Sequence, residues 1–229
     1  MTDFEGYLAL MQARPALFEN PDAEGLIRVE TDAARIRAIE ADMRLRLARQ
    51  GRSPREAEAG IAYEDGYILL LRDAVTFPTG ETGTYIRVVS ADAQGRGVAI
   101  LPRWRDRWVL LEHFRHATRR VELEIPRGFG EPDTSPLQNA QRELLEEIGS
   151  AAVSLRPLGS VRENTGLSAG EADLFLAEVG SPGALDRAEG ISGVVLLSTE
   201  ELRALIRDNT LRDAYTLAAV CRALVLGWL

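Results

Sequence analysis

Glu124-Ile-Pro-Arg-Gly-Phe-Gly-Glu-Pro-Asp-Thr-Ser-Pro-Leu-Gln-Asn-Ala-Gln-Arg-Glu-Leu-Leu-Glu-Glu-Ile-Gly149 reads as the end of a strand, a glycine-bearing loop and a helix with both boundaries written in. Ser135 is placed as N-cap, Pro136 takes the first helical position, and Gln138 completes a Ser-x-x-Gln capping box. Gly149 supplies the left-handed residue that stops the helix. At about 100° per residue, Glu143, Glu146 and Glu147 share an arc of roughly 100°, with Leu144, Leu145 and Ile148 on the other side. Three carboxylates crowded on one face repel one another unless a cation sits among them.

The rest of the chain limits what else could do chemistry. With 229 residues it can bury one large core or two small ones, and 45% hydrophobic with 27% charged residues is the balance of a soluble globular protein. A net charge of -8 argues against a general nucleic-acid binder. All 27 basic residues are arginine, so Schiff-base, general-base and P-loop lysines are excluded. Two histidines, His113 and His116, cannot build a His-rich zinc centre. Cys221 is the single cysteine; it sits in an apolar run and reads as a buried structural thiol in a reducing compartment. The N-terminus lacks a basic region followed by an apolar stretch, and Leu217–Leu229 is too short to span a bilayer. The expectation is a soluble, cytoplasmic protein with no membrane partner, whose chemistry rests on carboxylates, arginines and metal ions.

Taken in order, the chain starts with a weak helix near Tyr7–Ala13 and a clear one over Thr31–Gln50, where Ile36, Ile39, Met43 and Leu47 recur at helical spacing. Five arginines on that second helix interleave with Glu40 and Asp42 and read as a solvated face. Strands are predicted at Tyr67–Arg72 and Thr84–Ser90 around a loop with Pro78, Gly80 and Gly83, then at Val98–Leu101 and Trp108–Phe114 around a turn, and at Val121–Ile125. Trp104 and Trp108 beside that turn read as packing residues. After the opening stretch come strands Val153–Leu158, Asp173–Val179 and Val194–Leu197, an exposed loop over Gly180–Gly193, and helices Thr199–Arg207 and Leu211–Leu226. The mixed order implies helices on both sides of a mixed sheet.

Helix carboxylates beside a glycine loop suit hard cations such as Mg²⁺ or Mn²⁺, which take oxygen ligands and share them with substrate phosphates. The plainer alternative for Arg142-Glu-x-x-Glu-Glu is a solvated helix face with an Arg142–Glu146 pair.

The longer pattern carries a resemblance. Gly128, Arg142-Glu143, Glu146-Glu147 and Gly149 stand in the register of the Nudix box, Gly-x5-Glu-x7-Arg-Glu-U-x-Glu-Glu-x-Gly-U with U apolar. Glu124-Ile-Pro-Arg-Gly128 resembles the Glu-x-Pro-Ala-Gly lead-in of the ADP-ribose pyrophosphatase branch, and Leu110-Leu-Glu-His-Phe-Arg115 its strand ending in Gln-Tyr-Arg. The resemblance covers roughly residues 96–229. It implies a Nudix-type α/β/α sandwich with a mixed sheet at 96–229, an N-terminal helical extension at 1–60, and a small antiparallel β segment at 61–95 used for dimerisation. Three positions depart from the pattern: Thr134 replaces the first box glutamate, Ser150 the final apolar residue and Arg127 the lead-in alanine. Glu131 and Asp133 are the carboxylates available to stand in for Thr134.

By resemblance, the activity is hydrolysis of a nucleoside diphosphate linked to another moiety, ADP-ribose or a nucleotide sugar foremost. Glu143 and Glu147 are then the principal metal ligands, with Glu146 and the Arg127 carbonyl as further ones, and Arg142 orients a box glutamate. A divalent cation there neutralises the pyrophosphate and activates the attacking water. The segment Asn164-Thr-Gly-Leu-Ser-Ala-Gly-Glu171 resembles that branch's Pro-Gly-x-x-x-Glu loop, which makes Glu171 the candidate base and Glu163 the second choice. Arg115, Arg127, His116 and Gly128 are the candidate substrate contacts; Arg115 equally reads as an ion-pair partner of Glu122 or Glu124. Two other functions compete. A module lacking the box glutamate would bind a nucleotide without turnover, and an RNA-decapping enzyme would use the arginine helix. The N-terminal segment is expected to make a homodimer.

Overall fold

Two aspartates start the helices of the N-terminal region, each accepting a hydrogen bond from a first-turn amide: Asp3 from Gly6 at α1 (Phe4–Ala13), and Asp32 from Arg35 at α2 (Ala33–Arg49). A computed structural model describes residues 2–91, 95–131, 133–185 and 187–229 of the chain. Positions 92–94 of the expected β segment, Pro132 of the opening stretch and Asp186 of the 180–193 loop lie outside the described residues. The chain divides into two compact units, Met1–Asp92 with Asn164–Ala169, and Ala93–Glu163 with Gly170–Leu229.

In the first unit, β1 (Arg28–Val29), β2 (Gly60–Glu64), β3 (Ile68–Thr76) and β4 (Thr82–Ser90) form an antiparallel sheet centred on β3. Alternate residues Leu69 and Leu71 of β3 point into one cluster with Tyr7, Phe18, Ile36 and Ile39. The helices and the β segment therefore share one core. Glu40 is fully buried on α2, where it accepts from Arg37 (2.7 Å) and from the Ala59 amide (2.7 Å), which ties the helix to the start of β2. Gly83 lies inside β4, not in a loop. The segment Asn164–Ala169 adds a parallel bridge to this sheet: the Val88 amide donates to the Leu167 carbonyl (2.8 Å), and the Ala169 amide donates to that of Val88 (3.0 Å).

The second unit holds a seven-stranded sheet made of β5 (Gly95–Trp104), β6 (Arg107–Arg115), β7 (Arg120–Glu124), β8 (Arg127–Gly130), β9 (Ala152–Arg162), β10 (Glu171–Val179) and β11 (Ile191–Leu197). Its main path runs β11-β6-β5-β10-β9, with β7 on β6 and β8 on β5. The pairing of β10 with β5 is parallel and the others are antiparallel, so the sheet is mixed. Strand alternation divides the core between its faces. Val98, Ile100, Val109 and Leu111 pack with Ala140, Leu144 and Ile148 of α3 (Pro136–Ile148). Ala99, Leu101 and Leu110 pack with Leu202 of α4 (Thr199–Arg207) and with Ala219, Val220 and Ala223 of α5 (Ala214–Val225). Truncating Leu144 or Ile148 to alanine would cost roughly 2–5 kcal/mol each. This is the mixed-sheet α/β/α arrangement expected from the sequence.

Three further readings change. Leu145 is 59% exposed, because the buried arc of α3 runs through Asn139, Ala140, Glu143, Leu144, Glu147 and Ile148 and leaves Leu145 opposite. Cys221 is exposed: α5 buries Thr216, Ala219, Val220 and Ala223, and the thiol falls off that stripe. Arg127–Gly130, read as loop, is a strand, because β5 supplies the partner. Among the described residues no helix is long and apolar enough to cross a membrane.

Candidate active site

α3 is built as its sequence predicts. Ser135 accepts from the Gln138 amide (3.3 Å), and Gln138 Oε1 accepts from the Ser135 amide (2.9 Å). Gly149 ends the helix at φ 62°, and a Cβ there would lie 2.5 Å from the Ala184 carbonyl oxygen, so both the turn and the space demand glycine.

Because the helix lies with Ala140, Leu144 and Ile148 on the sheet, two of its three glutamates go inward with them. Glu143 is 6% exposed and Glu147 1%. The carboxylate of Glu143 occupies the space a side chain at position 128 would need: a Cβ on Gly128 would fall 2.1 Å from Oε1. Glu147 Oε2 accepts from the Arg127 amide at 2.9 Å. Strand β8 thus meets both carboxylates with its backbone. Burial raises both pKa values. For Glu147 the rise is to about 8, opposed by the Arg127 N–H and reinforced by Glu143. Burial of Glu143 is opposed by Arg142 and reinforced by Glu146. No arginine among the described residues forms an ion pair with Glu147.

Glu146 lies on the outer side, 2.6 Å from Arg142, which is the i, i+4 pair expected of a solvated face. Arg142 also donates to Glu143 Oε1 (2.6 Å) and to the Phe129 carbonyl (3.0 Å), and its Nε lies 3.4 Å from Glu131 Oε1. Partial burial works against its charge, but Glu143, Glu146 and Glu131 together hold its pKa above the ordinary value. Glu131, three residues before Thr134, is thus the loop carboxylate that meets Arg142. The Thr134 hydroxyl lies 2.8 Å from both the Glu131 carbonyl and Asn139 Oδ1, and it closes the loop instead.

A second acidic centre sits under the first. Glu124, 1% exposed, is paired with Arg115 and with Arg127 (3.1 Å). The Arg127 guanidinium continues to Asp213 (3.4 Å) and lies 4.8 Å from the centre of the Tyr215 ring. Arg115 is therefore an ion-pair partner of Glu124, and its charge lowers the pKa of Glu147. His116 stands in the turn between β6 and β7, with Nδ1 2.9 Å from the Arg119 guanidinium.

Glu171, at the start of β10, accepts from Ser160 (2.6 Å) and pairs with Arg96 (2.7 Å) and Arg162 (3.2 Å). The Ser160 hydrogen bond first, then the two arginines, lower its pKa. Glu163 accepts from the Tyr215 hydroxyl at 2.8 Å. Sequence reading missed Glu189, in the short 3-10 turn Arg187–Glu189 before β11. Its carboxylate is exposed, and its charge raises the pKa of both Glu143 and Glu147. The only local signal is an acidic residue before Gly190, which is too common to find it.

This donor set fits a hard divalent cation: two buried carboxylates, backbone in a glycine-lined strand, and no paired cation on Glu147. Among the described residues no three acidic, histidine or cysteine side chains already form a metal-holding group. The model of the NUDIX domain matches residues 93–219. A search of curated proteins finds no match to the chain. Among solved structures, a crystal structure of an ADP compounds hydrolase matches with a TM-score of 0.64 at 19% identity, over 75% of this chain and 95% of that one. That likeness is one of fold.

Proposed function

We propose that this chain, which belongs to the NUDIX family and is a hydrolase, cleaves the pyrophosphate of a nucleoside diphosphate linked to a second moiety, ADP-ribose or a nucleotide sugar. The observation that carries the reading is the pair Glu143 and Glu147, buried against the backbone of β8 with Glu147 in no ion pair among the described residues. A protein retains such an arrangement at a cost in stability, and a bound cation relieves it. The name of the structural neighbour, an ADP compounds hydrolase, favours an adenine nucleotide as substrate.

Glu143 and Glu147 would hold Mg²⁺ or Mn²⁺, with Glu146 and the Arg127 carbonyl as further oxygen donors. When bound, the cation supplies charge neutralisation at the pyrophosphate and a more acidic water. Arg142, fixed by Glu131 and Glu146, holds the Glu143 carboxylate in place. Glu189 is exposed, forms no ion pair with a described arginine and carries a charge that raises the pKa of both buried glutamates, so we assign it the proton of the attacking water in preference to Glu171, which two arginines occupy. Water oxygen bonds to phosphorus, the bond to the bridging oxygen breaks, and a nucleoside monophosphate leaves with the phosphorylated second moiety. Arg115 and Arg127 set the charge at the mouth, with Gly128 and His116 as further contacts. On resemblance alone, the N-terminal unit makes a homodimer; light scattering at the monomer mass would remove that part.

The test is a product-resolved screen of ADP-ribose, nucleotide sugars, dinucleoside polyphosphates and capped RNA with Mg²⁺ or Mn²⁺. Release of AMP from ADP-ribose, lost in Glu147→Gln, is the expected result. Tight binding without product from any substrate would sink the proposal.

A further inference from the structure

His113 is the one histidine buried in this fold, 3% exposed, and the chemistry above leaves it without a role. It lies on β6 opposite Ile191, the first residue of β11, so its ring stands where the 3-10 turn enters the sheet. His113 Nε2 is 2.9 Å from the carbonyl oxygen of Glu189. A carbonyl can only accept, so this nitrogen carries the proton. The next peptide is held from the same strand: the Phe114 amide donates to the Gly190 carbonyl at 2.9 Å. Gly190 has φ 90°, and a Cβ there would come 3.2 Å from the Phe114 carbonyl oxygen, so the backbone of 189–190 is pressed against β6.

The other ring nitrogen faces the buried acidic centre. His113 Nδ1 is 3.1 Å from Glu124 Oε1 but makes no hydrogen bond to it. That carboxylate is already engaged by Arg115 and Arg127. Burial and then Arg115 lower the pKa of the ring, against the pull of Glu124 and the Glu189 carbonyl. His113 thus spans from the arginine-paired carboxylate of Glu124 to the backbone of Glu189.

We propose that His113 is a positioning residue that fixes the backbone of Glu189 by holding its carbonyl from β6. The inference rests on the assignment of Glu189 as proton acceptor only for its effect on rate; the anchoring itself is independent of that assignment. Glutamine can replace the Nε2–H donor with its own amide, whereas phenylalanine fills the space and donates nothing. Where His113→Phe does not fold, His113→Met takes its place.

Two readouts are taken on the full chain. In amide hydrogen exchange, residues 187–191 and Phe114 should exchange at least about 10-fold faster in His113→Phe and return towards wild-type rates in His113→Gln. In turnover of the substrate that the product-resolved screen returns, Glu189→Gln should lower kcat by about 10²-fold or more. His113→Phe should lower kcat about 10-fold with KM unchanged, His113→Gln should recover most of it, and His113→Phe in the Glu189→Gln background should cost nothing further. Unchanged exchange over 187–191 overturns the proposal whatever the activities are. Additive losses in the double variant overturn it as well, since His113 would then act elsewhere. Faster exchange together with full activity of Glu189→Gln keeps the anchor and removes the assignment of Glu189 as base.

Discussion

Replacing Glu147 with glutamine should stabilise the metal-free protein, by an amount that grows with pH. The carboxyl is 1% exposed, and its pKa lies at about 8 against an ordinary 4.5, chiefly through burial. Between those values the folded protein keeps a proton that the unfolded chain has released. Stability therefore falls as pH rises through the window from 4.5 to about 8, and the loss is complete above it. At about 1.36 kcal/mol per pH unit, the penalty is on the order of 3 kcal/mol at pH 7 and approaches 5 kcal/mol above pH 8. Glutamine keeps an acceptor for the Arg127 amide and carries no charge; its buried NH₂ without a partner gives back roughly 1–2 kcal/mol. The balance at pH 5 is near zero or slightly unfavourable, and it shifts in favour of the variant by about 4 kcal/mol by pH 8.5. Thermal unfolding in a chelator at several pH values measures this directly, at roughly 2–4 °C per kcal/mol for a chain of this size. A stability difference that does not move with pH would refute the reasoning, because it would mean that Glu147 is not a desolvated carboxylate.

Other consequences are more local. Gly128→Ala puts a methyl where Glu143 Oε1 now sits, 2.1 Å away, so turnover should fall by about 10²-fold with a stability change of only about 1–3 kcal/mol; kinetics and denaturant melts separate the two. Glu131→Gln removes the loop carboxylate from Arg142 and should lower kcat about 3- to 10-fold, whereas Thr134→Val, which loses only a loop hydrogen bond, should alter stability by about 1 kcal/mol and kcat little. Gly149→Ala meets both a left-handed φ and the Ala184 carbonyl and should destabilise by about 1–3 kcal/mol in urea titration. Leu145→Gln, at an exposed position, should fall within about 0.5 kcal/mol of wild type.

The opening stretch was legible because helix boundaries are local chemistry: Ser135, Pro136, Gln138 and Gly149 each act on backbone groups within a turn. The faces of α3 were only half legible. Periodicity separates the glutamates from the leucines, but which 180° meets the sheet is decided by tertiary packing, and it excludes Leu145 while drawing in Glu143 and Glu147. Arg127-Gly-Phe-Gly130 carries no strand pattern, and its extended form comes from β5, so no window of sequence reveals it. The departure at Thr134 drew attention to Glu131 as a stand-in, yet only the path of the loop brings that carboxylate to Arg142. Glu189 lies 42 residues beyond Glu147 in the chain, and the pairing of β11 with β6 sets where its turn stands. Contacts set by sheet register leave no mark on the spacing of residues along the sequence.

Equilibrium titration of Mn²⁺, followed by the loss of its free paramagnetic resonance signal, tests most directly whether α3 and β8 form a cation cradle. The wild-type protein should bind Mn²⁺ with release of a proton near pH 7, since the Glu147 carboxyl must ionise to bind, and Mg²⁺ should compete for the same site. Glu143→Gln/Glu147→Gln should lose that binding while remaining folded. Equal Mn²⁺ affinity in the wild type and the double variant would contradict the account.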